Sequence, residues 1–313
     1  MEQRSIPISL VVLGLANSPI SELECISMES FPQKVLIAGT IRNGSSTVAN
    51  SIHDLSRAFE GMAEVMWLVI ESDSTDSTVS ILKEISKEKK NFKYITLGNL
   101  SSKHPKRTDR IAHARNVYLM DFQQLEEYSE CTHLVVADLD GVNNLISRSG
   151  VESSFALNPL DVFTANQTGP YYDIWALRHD FWSPNDCWAE LEFYRNWYQW
   201  PEYALQKSVL SRMIRIPEDA DPIEVQSAFG GLAIYPRDAV RNTMYVGLDD
   251  DGKEICEHIR FSEGIRRNGY KIFINPKMIN TKYTEFSLQK KLKNKLFRLA
   301  RYPVKKFNAI FRK

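Results

Sequence analysis

Several features that would place this chain in a specialised class are scarce or missing. The four cysteines among 313 residues, Cys25, Cys131, Cys187 and Cys256, are far apart and form no CxxC pair. A secreted disulfide framework is therefore not expected, and a reducing compartment is the default. The apolar run from Ile6 to Ala16 is about half of the ~20 residues that a membrane-spanning helix needs. We interpret it as a buried strand, with a short signal peptide as the alternative.

The chain also has no net charge, because 39 basic residues balance 39 acidic ones. The chain as a whole therefore has no electrostatic attraction to nucleic acid, and we expect no nucleic-acid partner. The charge is unevenly distributed, because Phe286–Lys313 carries ten basic residues and no acidic one. Leucines at helical spacing in this tail predict an amphipathic helix on an anionic membrane surface. The alternative is a terminal helix packed on the body.

The chain contains no internal repeat and no low-complexity linker. Apolar runs alternate with helical patterns from Lys34 onward, which predicts an α/β fold with a doubly wound, mostly parallel sheet. We expect the first four strands at 35–41, 65–71, 92–98 and 132–140, with helices at 46–59, 77–89 and 111–128. After Asn143 the periodicity is weak and we expect functional loops. Further on, the pattern predicts a strand through Gly230–Gly231, a helix, and a strand ending at Pro276.

The most informative motif is VVADLDG, in which Asp138 and Asp140 follow an apolar strand. Side chains alternate along a strand, so this spacing projects both carboxylates to one side. Hard oxygen ligands suit Mg²⁺ or Mn²⁺, and ligands bind beyond the carboxyl ends of parallel strands. A divalent ion there would neutralise a diphosphate. The structural alternative is an Asp-capped turn.

Other residues near strand ends are candidates for the nucleotide-sugar donor. Acidic residues after the second strand suit a ribose or a base, although helix capping explains them equally well. Arginines in RIAHARN offer planar donors for a diphosphate, against the alternative of a solvated surface. The donor-site prediction consists of Gly39, Thr40, Arg42, Glu71, Asp73, Arg110, Arg115, Asn116 and Asp138.

The ordered motifs VLIAGTIRN, VIESDSTDST, RIAHARN, VVADLDG and AFGGLAIY together resemble a GT-A fold glycosyltransferase. They are similar to the fungal capsule-associated alpha-1,3-mannosyltransferases and the Anp1-type mannosyltransferases. The resemblance covers roughly Lys34 to Pro276. It implies a nucleotide-binding half ending at the Asp-x-Asp motif and an acceptor half beyond it. The expected domains are thus an N-terminal segment (1–33), a GT-A catalytic domain (34–285, divided into 34–144 and 145–285) and a basic helical tail (286–313).

The segment CEHIRFSEGIRR resembles the region of bacterial family 2 transferases in which an acid before a helix activates the acceptor hydroxyl. Glu257 matches that acid and is the expected base beside Asp140 as the other catalytic residue. His258 stands where a second acid would be, and a neutral imidazole there is the expected third metal ligand after Asp138 and Asp140. The alternative is a capped helix start with a surface histidine.

The acceptor site is predicted from glycines and aromatics. Gly230 and Gly231 allow close approach of a sugar, or else form a strand bulge. Trp182 and Asp186 lie in the segment HDFWSPND, whose composition predicts a loop, and we expect them to contact the acceptor.

Taken together, the sequence predicts a metal-dependent glycosyltransferase. It would move a hexose, mannose by resemblance, from a GDP- or UDP-sugar to a polysaccharide or lipid-linked oligosaccharide. Its expected location is cytoplasmic, peripheral at the inner face of a membrane. The alternatives are a nucleotidyltransferase acting on a sugar phosphate and a non-catalytic glycan- or membrane-binding scaffold.

Overall fold

The computed structural model describes residues 31–32, 34–198 and 200–282. The predicted basic tail at 286–313 and most of the predicted N-terminal segment lie outside these residues. Within the described part, no helix is both long enough and apolar enough to cross a bilayer.

The described residues contain eight strands and seven α-helices. The strands are β1 (Lys34–Ile41), β2 (Glu64–Glu71), β3 (Phe92–Thr96), β4 (His133–Ala137), β5 (Val162–Gln167), β6 (Ile223–Val225), β7 (Leu232–Pro236) and β8 (Ile272–Thr281). The helices are α1 (Val48–Ala58), α2 (Thr78–Glu88), α3 (Arg107–Gln124), α4 (Arg148–Leu157), α5 (Cys187–Arg195), α6 (Pro201–Ser208) and α7 (Glu257–Arg267).

The strands form one sheet in the order β3-β2-β1-β4-β7-β5-β8-β6. Strands β1 to β4 pair in parallel, and β5 pairs in parallel with β8. Strand β7 runs antiparallel to both β4 and β5, and β6 runs antiparallel to β8. Because β7 is reversed, the residues before it lie at the edge where β1 and β4 end.

Both faces of the sheet are covered, as the continuous apolar runs of β1, β2 and β4 require. Leu36 of β1 belongs to a core cluster that includes Tyr118 of α3 and Phe261 of α7. Its neighbour Val35 faces the opposite cluster, which includes Leu55 of α1. The predicted doubly wound α/β sheet with flanking helices is therefore confirmed.

Some predicted element boundaries were wrong. Helix α3 begins at Arg107 rather than Ile111, because Glu254 accepts hydrogen bonds from the Thr108 backbone and hydroxyl and thereby caps its first turn. Strand β8 continues past Pro276 to Thr281. The pairing of β5 with β8 shifts register between Thr164 and Gln167, so the ladder accommodates the proline without ending there.

Candidate active site

A cleft of about 670 Å³ lies at the edge of the sheet where β1, β2 and β4 end. Its walls also receive residues from the loop after β5, from the turn before β7 and from the start of α7. Of the predicted site residues it is lined by Thr40, Arg42, Arg110, Arg115, Asp138, Asp140, Glu257 and His258. The structure thus brings together side chains that are more than 200 positions apart in the sequence.

Arg115 of α3 is the centre of the charged groups in this cleft. Its side chain is only 6% exposed, with Nη2 3.3 Å from Asp138 Oδ1 and Nε 3.4 Å from Glu257 Oε1. Its guanidinium lies over the Phe229 ring, 4.9 Å from the ring centroid. Burial opposes the charge, but Tyr118, Glu257 and Asp138 outweigh it and raise the pKa of Arg115. One buried cation therefore holds two carboxylates that come from different halves of the chain.

Asp138 directly follows β4 and faces the cleft. Its backbone N–H donates to Gly231 O at 2.9 Å, so its position is fixed by the turn before β7. Burial raises the pKa of Asp138 to about 7, and Arg115 opposes this effect while the nearby carboxylates of Asp140 and Asp173 add to it. A carboxylate with this pKa gains from a bound cation, because the cation favours its charged form.

Asp140 is the more exposed member of the pair, and its Oδ1 accepts from the Val142 N–H at 3.2 Å. Within the described residues, no three His, Cys, Asp or Glu side chains lie close enough to form a metal site on their own. The Asp138–Asp140 pair still fits Mg²⁺ or Mn²⁺, because magnesium is usually bound by one or two carboxylates plus substrate phosphates.

His258 does not join these two carboxylates. Its ring is buried and stacks on Phe229 with centroids 4.1 Å apart. Burial, followed by the charge of Arg115, lowers the pKa of His258 well below its usual value. The imidazole is therefore neutral and packs in the cleft wall, and its role as third metal ligand stays a prediction.

Three arginines add positive charge to the lining: Arg42, Arg107 and Arg110. Arg110 Nη1 donates to the carbonyls of His104 and Pro105, so it also shapes the loop before α3. The cleft therefore presents basic and acidic groups together. Such a site suits a ligand with a diphosphate next to a cation.

Four predicted donor residues have structural contacts outside the lining. A Cβ on Gly39 would lie 2.5 Å from Ala137 O, so glycine lets β1 and β4 approach closely. Glu71 accepts from the Ser74 N–H, and Asp73, at φ 58°, accepts from the Ser101 N–H. Asn116 bonds to both the backbone O and N–H of Tyr245.

The predicted acceptor residues also make internal contacts. Trp182 Nε1 donates to Arg212 O at 2.6 Å. Asp186 caps α5 by accepting from the Trp188 and Ala189 N–H groups. Gly230 and Gly231 have φ values of 67° and 90°. A Cβ on Gly231 would lie 2.8 Å from the Tyr172 hydroxyl, so this turn has room only for glycine.

The sequence reasoning missed Tyr172, Asp173, Trp175 and Phe229, which all line the cleft. Asp173 accepts from the Gly230 N–H at 2.9 Å, and burial raises its pKa. The available signal was one acidic residue inside the aromatic run PYYDIW, because an acid in such surroundings is expected to be buried and functional.

No protein-family model matches this sequence, and neither does any curated protein. The similarity to the fungal mannosyltransferase families therefore stays a prediction. Among solved structures, the chain is similar to S. aureus TarS 1-349 in complex with UDP-GlcNAc, at 15% identity and a TM-score of 0.46. This match covers 82% of the present chain and 60% of that one.

Two other solved structures are similar at comparable levels. One is the mannosyltransferase PcManGT from Pyrobaculum calidifontis in complex with GDP-Man and Mn²⁺, with 15% identity, a TM-score of 0.41, and coverage of 79% and 56% of the two chains. The other is glucosyl-3-phosphoglycerate synthase from Mycobacterium tuberculosis with UDP, with 13% identity, a TM-score of 0.39, and coverage of 86% and 75%. TM-scores below 0.5 do not assign a function, so the assignment has to come from the cleft residues.

Proposed function

We propose that this chain is a metal-dependent GT-A type glycosyltransferase that moves a hexose from a nucleoside-diphosphate sugar to a glycan. The observation that supports this most is the position of Asp138 and Asp140. They lie at the carboxyl end of β4, in a cleft that also holds Arg115 and Glu257. The carboxylates of this cleft can hold a metal ion and the arginines can bind a diphosphate, which is the combination that a metal-bound nucleoside-diphosphate sugar needs.

In this proposal Asp138 and Asp140 hold Mg²⁺ or Mn²⁺ together with the donor diphosphate. The bound ion supplies Lewis-acid stabilisation of the departing nucleoside diphosphate. Arg42, Arg107 and Arg110 hold phosphate oxygens at the rim. Arg115 keeps the Asp138 carboxylate oriented, since its own position is fixed by burial and by Glu257.

Glu257 is the proposed base that accepts the proton of the acceptor hydroxyl. It begins α7 and lies at the cleft wall opposite the end of β4. Asp173 is close enough to influence the charge of Asp138 and lines the same cleft, so two acids are available on the acceptor side. The proposed donor is a GDP- or UDP-sugar with mannose as the hexose.

The proposed acceptor is a polysaccharide or lipid-linked oligosaccharide at the inner face of a membrane. The segment proposed to bind that surface, 286–313, lies outside the described residues. Support for this part of the proposal is the clustering of basic residues and leucines in the sequence.

The experiment is a screen of GDP- and UDP-sugars with Mn²⁺ for release of nucleoside diphosphate. Transfer to water breaks the bond between the anomeric carbon and the β-phosphate oxygen and yields a free hexose. Asp140→Ala should lower this release by about 100-fold or more, because a ligand of the proposed ion is lost. Asp250→Ala, which removes an exposed carboxylate from the turn at 249–252, is the matched control.

Unchanged release by the Asp140→Ala protein would refute the proposal. With pyrophosphate added, formation of a nucleoside triphosphate and a sugar phosphate from the nucleotide sugar would instead indicate a nucleotidyltransferase. No release with any donor, while glycan still binds, would indicate a scaffold.

A further inference from the structure

Helices α5 and α6 and the short segment between them expose large aromatic side chains that the proposed chemistry does not use. The exposed fractions are 58% for Phe193, 73% for Trp197, 62% for Trp200 and 40% for Tyr203. These four residues are called the aromatic patch below. Large exposed apolar patches on soluble domains generally mark interaction sites, so the patch calls for an occupant.

The rings of the patch support one another. Phe193 and Trp197 have centroids 6.1 Å apart, and Trp200 stacks on Tyr203 at 5.8 Å with an interplanar angle of 28°. Next to them, Lys207 Nζ lies 4.0 Å from the centroid of the Tyr194 ring. Because rings that brace one another lose little freedom on binding, this surface is suited to recognising a ligand.

The patch is connected to the cleft through the start of α5. Trp175 lines the cleft, and its Nε1 donates to Asp186 Oδ2 at 2.8 Å. Asp186 in turn caps the helix that carries Phe193. Farther along α5, Glu192 forms a 3.1 Å ion pair with Lys253, which lies in the loop before Glu257. The helix that carries Phe193 is therefore anchored at its first turn to a residue of the cleft wall.

The charge of this region decides between two kinds of occupant. Residues 187–208, from the start of α5 to the end of α6, contain two basic residues, Arg195 and Lys207, and three acidic residues, Glu190, Glu192 and Glu202. An anionic membrane would favour an excess of basic residues, which these positions lack. A neutral sugar ring has an apolar C–H face and a polar rim, and it matches the flat face and polar edge of Trp and Tyr side chains.

We propose that the aromatic patch is a binding subsite for an uncharged acceptor glycan, several sugar units away from the end that reacts. This inference rests on the proposed glycosyl transfer, because it is the acceptor that has to extend out of the cleft. The patch then makes long acceptors bind more tightly than short ones, without taking part in the donor reaction.

The test uses the full chain and the double variant Trp197→Ala/Trp200→Ala. The probes are linear hexasaccharides of mannose, glucose and N-acetylglucosamine, and the corresponding methyl monosaccharides. At least one hexasaccharide should bind the unmodified protein in calorimetric titration, and the double variant should bind it about tenfold or more weakly, because two stacking rings are lost. Binding of the monosaccharides and donor hydrolysis should not change. Phe181→Ala, which removes a ring that is 95% exposed outside α5 and α6, is the control and should bind like the unmodified protein.

Three results would overturn the inference. The first is that no hexasaccharide binds, and the second is that the double variant binds it as tightly as the unmodified protein. The third is that the unmodified protein floats with vesicles of phosphatidylcholine and phosphatidylserine and the double variant does not, since the patch would then be a membrane contact. Absence of donor hydrolysis in the unmodified protein refutes the proposed function separately, because hexasaccharide binding is measured without a donor.

Discussion

The two halves of the sheet place their cleft residues in different ways. In residues 34–144, the cleft residues lie at or just after the ends of regular parallel strands, or on α3. One helix connects each of these strands to the next. In residues 145–282, they come from the long connection between β5 and α5, which carries Asp173, from the turn before β7 and from the start of α7. We call the cleft residues of 34–144 the first wall and those of 145–282 the second wall. The local sequence pattern therefore determines the first wall, whereas the second wall depends on contacts between distant segments.

The buried polar groups show the same difference. Strands β5 and β8 contain Asn166, Gln167, Asn275 and Asn280, and all four are buried. Asn280 Nδ2 donates to Asn143 Oδ1 and to Gly230 O, and its Oδ1 accepts from Gln167 Nε2. Strands β1, β2 and β4 are almost entirely apolar by comparison. The strands of the second half thus contain buried side-chain hydrogen bonds in addition to their apolar contacts.

The largest effect is expected from replacing Arg115, the residue that joins the two walls. Arg115→Met should lower the free energy of unfolding by about 3–5 kcal/mol, because Asp138 and Glu257 lose a buried counter-charge. Urea denaturation measures the change. Adding Glu257→Gln to the same chain should restore part of the loss.

The control for this experiment is Arg260→Met on α7, where the ion pair with Glu263 is solvent-exposed. Its expected cost is below about 1 kcal/mol. Equal costs at the two positions would mean that Arg115 does not couple the walls.

A smaller effect is expected from the polar network of the second half. Asn280→Ala should cost about 2 kcal/mol in unfolding free energy, because buried partners such as Asn143 and Gln167 lose hydrogen bonds. Asn91→Ala, at an exposed position of the first half, should change stability by less than about 0.5 kcal/mol. Similar values would remove the distinction between the two halves.

The smallest effect concerns pH. The pKa of Asp138 is raised to about 7, so between its unfolded value and pH 7 the folded state keeps a proton that the unfolded state releases. Unfolding free energy should therefore fall as pH rises through this range. Asp138→Asn should flatten the fall by about 1 kcal/mol between pH 5 and pH 8, which allows for solvent screening of a partly exposed group. Thermal melting without metal measures it.

The control for the pH experiment is Asp250→Asn, which should keep the pH slope of the unmodified protein. An unchanged slope in the Asp138→Asn protein would show that burial does not raise the pKa of Asp138 in the folded state.

These differences explain what the sequence alone could predict. The strands of the first half were found because their apolar runs are continuous, and Asp138 was found because it follows such a run. Strand β5 (VFTANQ) was missed because its Asn and Gln side chains give no strand-like alternation. The contact between Arg115 and Glu257 was also out of reach, because nothing local in either segment specifies the other. Contacts of that kind depend on the complete fold.

The loops after β1 and β2 have a consequence for protein engineering. The Asn43 N–H donates to Ser74 Oγ, Asn43 Oδ1 accepts from the Thr75 N–H, and the Ser45 N–H donates to Asp76 Oδ2. Each loop thus supplies hydrogen-bond partners that the other requires. Transplanting one loop from another protein would leave these groups unpaired, so the two loops should be exchanged as a single module.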